Sequence, residues 1–369
     1  MTAYASLPSG IRSFTGRNNR MTNQKIMLND VVIMRPLAIF LLVVWHSFII
    51  YAGGWKEPVN FQPVETYWWL AKFSYAFMLE LFVFISGYVF SLSLQKRNYK
   101  FSQLVVSKLK RLIVPSILFS LIYFFMFYDL SQFTIASFVL DILSGCGHMW
   151  FLPMLFWVTL LGYAIDKIEI SEMVKMLLVL CLPALSILPV PFRIGSALYY
   201  IPFFYVGMIV FRKKSSIIDR FSNSLNTSIL WGGVFAVAFV LGTLLIRDIL
   251  PQYKAISESF IAKGMIIELS TYAKLIYSAL GVFFTYIFVN YLLKKTDVGV
   301  PNWMSHFNKM CFGMYLFQQF ILQVLYYKTS LPVLVGSYWL PWVGLSVTLI
   351  ISYILTMLSL KTKIGQLLM

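Results

Sequence analysis

The sequence predicts an all-α polytopic membrane protein with about ten transmembrane helices and both chain ends in the cytoplasm. Three observations carry that prediction. Of the 369 residues 59% are apolar and only 12% are charged, and the mean hydropathy is +0.77, a balance that soluble domains do not show. Apolar stretches of roughly 20 residues, the length that crosses ~30 Å of hydrocarbon, follow one another from Ile33 to Leu360. Lys and Arg alternate between loops rich and poor in them, as the positive-inside rule requires.

The predicted spans are 33–52, 67–94, 104–128, 149–165, 174–190, 197–211, 229–249, 271–293, 311–328 and 333–359. The first is preceded by a polar tail carrying Arg12, Arg17, Arg20 and Lys25, which lacks the apolar core of a cleavable signal. Lys96, Arg97, Lys100, Lys108, Lys110 and Arg111 separate the second and third spans, and Arg212, Lys213, Lys214 and Arg220 follow the sixth. Lys294 and Lys295 follow the eighth, and Lys361 and Lys363 the tenth. All of these are assigned to the cytoplasm; the segments near 51–66, 129–147 and 190–196 are poor in basic residues and face outward. Segment 166–173 is mixed in charge, and 247–270 has room for a re-entrant or interfacial helix. Residues 1–29 read as a cytoplasmic tail and 30–365 as one membrane domain without internal repeats.

The formal charge of +16 raises nucleic acid as a partner. The basic residues, however, form short topological clusters between spans rather than the stripe a duplex requires, so no nucleic acid is expected. Cys146, Cys181 and Cys311 lie too far apart for metal-ligand or redox spacing, and no metal is expected.

Chemistry must come from polar groups that a bilayer would otherwise reject, since an ionisable side chain near its centre costs at least ~2.5 kcal/mol. Arg35 and His46 stand eleven residues apart in the first span. That is nearly three helical turns, so both project from one face, roughly 16 Å apart along the axis, where one elongated ligand can touch both. Arg35 suits a phosphate, or equally an anchor paired with Asp30; His46 suits a proton acceptor, or equally a histidine bonded to a neighbouring carbonyl. Lys108, Lys110 and Arg111 lie where Arg35 emerges, ahead of Pro115, which should perturb the third span. Glu80 sits inside the second span and needs a partner, with Arg35 and His46 as candidates. Ser86-Gly87 reads as close helix packing ahead of a nucleophile, and Trp68, Trp69, Trp339 and Trp342 as interface anchors.

The Arg-x10-His spacing of Arg35 and His46 resembles the signature of the acyltransferase-3 family of membrane O-acyltransferases. Other stretches are similar to that family's in order and spacing: 82–88 (FVFISGY), 108–115 (KLKRLIVP), 147–153 (GHMWFLP) and 312–317 (FGMYLF). Together they cover residues 30–365. The resemblance implies transfer of an acyl group, usually acetyl, from cytoplasmic acetyl-CoA to a hydroxyl of an envelope or exported glycan or its lipid-linked saccharide precursor. The bacterial cytoplasmic membrane is the expected location, membrane lipids are the surroundings, and a homo-oligomer is an open option. Carried over by position, His46, His148 and Glu80 are catalytic candidates, Arg35, Lys108 and Arg111 donor-binding candidates, and Trp150 and Asp30 acceptor-side candidates. Gln318 departs from the pattern, standing where the family's late stretch has histidine. The alternative reading is a non-enzymatic transporter or flippase of a glycan or lipid-linked sugar.

Overall fold

A computed structural model describes residues 15–97, 99–129, 133–296 and 300–368, with side chains from Asn29 onward. The basic tail residues Arg12, Arg17, Arg20 and Lys25 therefore lie outside the described side chains. Among the described residues there is no strand, and sixteen α-helices follow one another. They are α1 Thr15–Phe48, α2 Glu65–Tyr75, α3 Met78–Lys96, α4 Phe101–Lys108, α5 Val114–Phe127, α6 Ile135–Ser144, α7 Phe151–Lys167 and α8 Glu172–Cys181. The second half comprises α9 Ile194–Arg212, α10 Lys214–Phe221, α11 Leu225–Leu244, α12 Leu250–Ile256, α13 Phe260–Lys295, α14 Asn302–Tyr327, α15 Leu331–Ser359 and α16 Lys363–Leu368.

Eight helical stretches are both long and apolar enough to cross a membrane, and they coincide with eight of the ten predicted spans. The other two differ for identifiable reasons. The span predicted at 174–190 is α8 continued by a 3-10 segment, Leu182–Ile187, with Pro183 at the join; ten α and six 3-10 residues reach about 27 Å. The span predicted at 311–328 begins earlier as α14, which reaches about 39 Å but carries Asn308, Lys309, Gln318 and Gln319.

Both nevertheless connect opposite ends of the bundle. One end gathers the Arg212–Asp166, Lys214–Asp30 and Lys294–Asp219 pairs. The other gathers Arg193 on the Ser144 carbonyl, Arg247 on Glu65, and Tyr51 on the Ser337 carbonyl. Because α7 and α9 both run toward the first end, the segment between them must return; because α13 ends there and α15 starts at the opposite end, α14 must return as well. Ten traverses result among the described residues, and the basic end is the one predicted to be cytoplasmic. Segment 247–270 holds no re-entrant turn: a π-helical turn at Leu245–Ile249, α12 and the start of α13 continue the long α11 and α13 helices.

Helix α1 is central, packing against α2, α3, α13, α14 and α15, with Met34, Ala38, Ile39, Leu42 and Val43 buried. The expected pairing of Asp30 with Arg35 is not formed. Asp30 is fully buried and bonds Lys214 at 2.5 Å, the Tyr88 hydroxyl at 2.9 Å and the Val31 N–H at 2.9 Å. Burial lowers the proton affinity of Lys214, with Asp30 opposing that shift. Each oxygen of Asp30 thus has a partner, which is what makes a buried carboxylate tolerable.

The most extensive helix pair is α3 with α9, and it depends on glycine at both faces. A Cβ on Gly87 would lie 2.0 Å from the Phe204 carbonyl oxygen, and one on Gly207 would lie 2.2 Å from that of Phe84. These contacts are with backbone, which cannot swing aside, so the Ser86-Gly87 pair serves packing as the sequence suggests; Ser86 bonds its own helix through the Phe82 carbonyl. Gly87→Ala should separate the two helices and cost ~1–3 kcal/mol or more, read as a lowered melting temperature of the detergent-purified protein. An unchanged melting temperature would show that the pair can part without penalty.

Candidate active site: two chambers in series

Two cavities lie one above the other along α1. The inner has a volume of about 510 Å³ and the outer about 340 Å³. Leu42, Leu79, Phe151 and Tyr315 line both, and so form a septum between them.

Arg35, Lys108, Arg111 and Lys309 line the inner chamber, and no carboxylate is among its described lining residues. None of the four makes an ion pair with a described carboxylate. Arg35 instead donates to the Asn308 side-chain oxygen at 3.3 Å, and the Lys108 ammonium lies 5.4 Å from the centre of the Phe90 ring. The chain places Arg111 there through a local defect. Pro115 has no N–H to offer the carbonyl four residues back, and the helix answers with a π-helical turn over Leu109–Ile113, the kind of bulge that re-aims side chains. Four cations without a described carboxylate partner around one cavity are chemically suited to a polyanion.

His46, His148, Trp150, Trp55 and Gln319 line the outer chamber. The two imidazoles are edge to face with centroids 6.3 Å apart, and Trp55 stacks on His46 at 5.8 Å. His148 sits in a 3-10 turn, Gly147–Trp150, clamped to α14 by two bonds. Its Nε2 lies 3.1 Å from the Leu316 carbonyl oxygen, while the Tyr315 hydroxyl donates to the His148 carbonyl at 2.6 Å. A carbonyl only accepts, so His148 carries its proton on Nε2 and leaves Nδ1 as a free acceptor. Loop 53–64 closes the outer end, held by Tyr327 on the Lys56 carbonyl at 2.6 Å and by the Gln62 N–H on Ser337 at 2.8 Å.

Five buried polar atoms that make no hydrogen bond of good geometry converge here: Nδ1 of His46, Nδ1 of His148, both amide atoms of Gln318 and Oε1 of Gln319. Gln318, the departure from the late motif, faces His46. Gln319 spends its amide nitrogen on the Tyr123 hydroxyl at 3.0 Å. Orphaned polar groups are uncommon in buried positions and mark a place that a polar ligand or water completes.

The sequence-predicted residues thus divide. Arg35, Lys108 and Arg111 meet in the inner chamber, and His46, His148 and Trp150 in the outer. Asp30 and Glu80 line neither. The expected pairing of Glu80 with Arg35 or His46 is absent, because Glu80 is turned toward α13, where Lys274 lies at 4.0 Å, and accepts from the Tyr199 hydroxyl at 3.3 Å. Trp55, Lys309, Asn308 and Gln319 also belong to the chambers, and no sequence signal singles them out: Trp55 lies in a loop, and Asn308 and Lys309 precede the apolar stretch of their helix.

Comparison with known protein families matches residues 29–360 to a family model described as an acyltransferase domain. Neither a curated protein nor a solved structure matches the chain.

Proposed function

Since the chain belongs to the acyltransferase-3 family of membrane acyltransferases, we propose that it transfers an acetyl group from cytoplasmic acetyl-CoA to a hydroxyl of an envelope or exported glycan or its lipid-linked precursor, in the bacterial cytoplasmic membrane. The observation that carries this reading is the pair of chambers sharing a septum, one cationic at the cytoplasmic end and one holding His46 at the other. The phosphates of coenzyme A dock on Arg35, Lys108, Arg111 and Lys309, and the thioester arm extends along α1 toward Leu42 and His46. The acceptor hydroxyl enters the outer chamber between Trp55 and Trp150.

In direct transfer His46 takes the hydroxyl proton as the oxygen attacks the thioester carbonyl. A carbon–oxygen bond forms, the carbon–sulfur bond breaks, and coenzyme A leaves as a thiolate that receives the proton. A positioned base of this kind contributes ~10²–10⁴-fold. An acetyl-histidine intermediate on His46 is the second route, and the two separate kinetically, since only that intermediate gives ping-pong patterns. His148, clamped by Tyr315 and Leu316, holds the far side of the acceptor through Nδ1.

The test is acetyl transfer from labelled acetyl-CoA to envelope glycan in membranes carrying the protein. Incorporated label supports the acyltransferase; absence of donor turnover would move the reading to a transporter. Tyr315→Phe should lower kcat about threefold to tenfold, the worth of one hydrogen bond, with the donor KM unchanged. A raised donor KM at constant kcat would show that Tyr315 acts on the donor rather than through His148.

A further inference from the structure

One wall of the outer chamber is built from Trp45 and Tyr75, stacked at 4.3 Å. Behind these rings stand two lysines that the transfer mechanism does not use. The Lys72 ammonium is 5.9 Å from the centre of the Trp45 ring and 5.4 Å from that of Trp68. The Lys274 ammonium is 4.7 Å from Tyr75 and 5.4 Å from Tyr199. Glu80 faces Lys274 at 4.0 Å, and Lys72 makes no ion pair with a described residue. One carboxylate thus faces only one of the two ammoniums, and its Oε2 has no partner.

Exposure separates the signs. The Glu80 side chain is 1% exposed and that of Lys274 26%, so a group arriving on that side meets Lys274 before the carboxylate. A lysine that only snorkels carries its ammonium away to the interface; these two remain over the rings of the chamber wall. Uncompensated charge within a membrane domain is costly, and a ligand of opposite sign relieves that cost.

We infer that Lys72 and Lys274 form an anion-recognising subsite next to the outer chamber, behind its Trp45–Tyr75 wall, taking a phosphate or carboxylate carried by the acceptor. The inference rests on the acyltransferase reading and narrows it: the acceptor is anionic, either through the phosphate of a lipid link or through an acidic sugar. Glu80 is then a positioning residue that holds Lys274 against Tyr75.

Binding to the purified full-length chain in neutral detergent, with coenzyme A saturating, tests this without acetyl transfer. Isothermal titration compares farnesyl phosphate with farnesol, and glucuronate with glucose. The wild type should prefer at least one anion over its neutral counterpart by roughly tenfold, which is ~1.4 kcal/mol. Preference for farnesyl phosphate assigns the anion to a lipid link; preference for glucuronate assigns it to the sugar. Lys72→Gln, which strands no carboxylate, should abolish the preference, as should Lys274→Gln combined with Glu80→Gln. Lys254→Gln, an equal loss of charge on exposed α12, should keep it. A wild type that binds neither anion preferentially, or a preference that survives both lysine changes, overturns the subsite. The labelled-acetyl assay judges the acyltransferase reading separately.

Discussion

His46→Ala is expected to reduce acetyl transfer by ~10²–10⁴-fold while the protein stays folded and binds its donor. The fold should survive because His46 Nδ1 makes no hydrogen bond of good geometry and the ring borders a cavity, so the truncation gives up the Trp55 stack and enlarges an existing space. The donor should still bind because the cations proposed to hold its phosphates lie in the other chamber, beyond the septum. The check is label transfer at matched expression, together with coenzyme A binding to the purified variant. A His46→Ala enzyme with wild-type transfer would move the base elsewhere, and His148 would be examined next. His148→Ala should do less to chemistry and more to the fold, since its Nε2 is committed to the Leu316 carbonyl.

Replacing Arg35 and Arg111 together by Ala should raise the donor KM by roughly two to four orders of magnitude, because each charge-assisted contact to a phosphate is worth ~1.5–3 kcal/mol. The value of kcat at saturating donor should change far less. The expectation follows from a chamber with four cations and no carboxylate among its described lining residues: the charges are uncompensated until a polyanion arrives. Steady-state kinetics with varied acetyl-CoA, repeated at two salt concentrations, checks it. Loss of kcat with an unaltered donor KM would make the arginines structural. Double replacement is informative because Arg35, bonded to Asn308, also anchors α1 to α14.

Much of this arrangement is legible in the sequence. The Arg35–His46 spacing fixes one face of one helix, and the two chambers lie along that face as the period requires. Basic loops fix which end is which, even for α8 and α14, whose length or polarity would disqualify them alone. What stays hidden is adjacency between helices far apart in the chain. Glu80 needs a cation, and nothing local says that it is Lys274 rather than Arg35; only the packing of α3 against α9 and α13 brings them together. Asp30 likewise finds Lys214 rather than the arginine five residues along, because burial at the foot of α1 turns it toward α10. Trp55 escapes because a loop has no period from which to read the direction of its side chains.

The septum of Leu42, Leu79, Phe151 and Tyr315 also has an electrical consequence. Where water fills the chambers on either side, the transmembrane potential falls across the thickness of four side chains instead of ~30 Å of hydrocarbon. A unit charge moved through that layer would exchange ~2.3 kcal/mol per 100 mV with the membrane. In the proposed reaction acetyl moves outward in exchange for the acceptor's hydroxyl proton, which ends on the coenzyme A thiol, so no net charge crosses the layer. Turnover should therefore be indifferent to membrane voltage, and the thioester alone supplies the driving force.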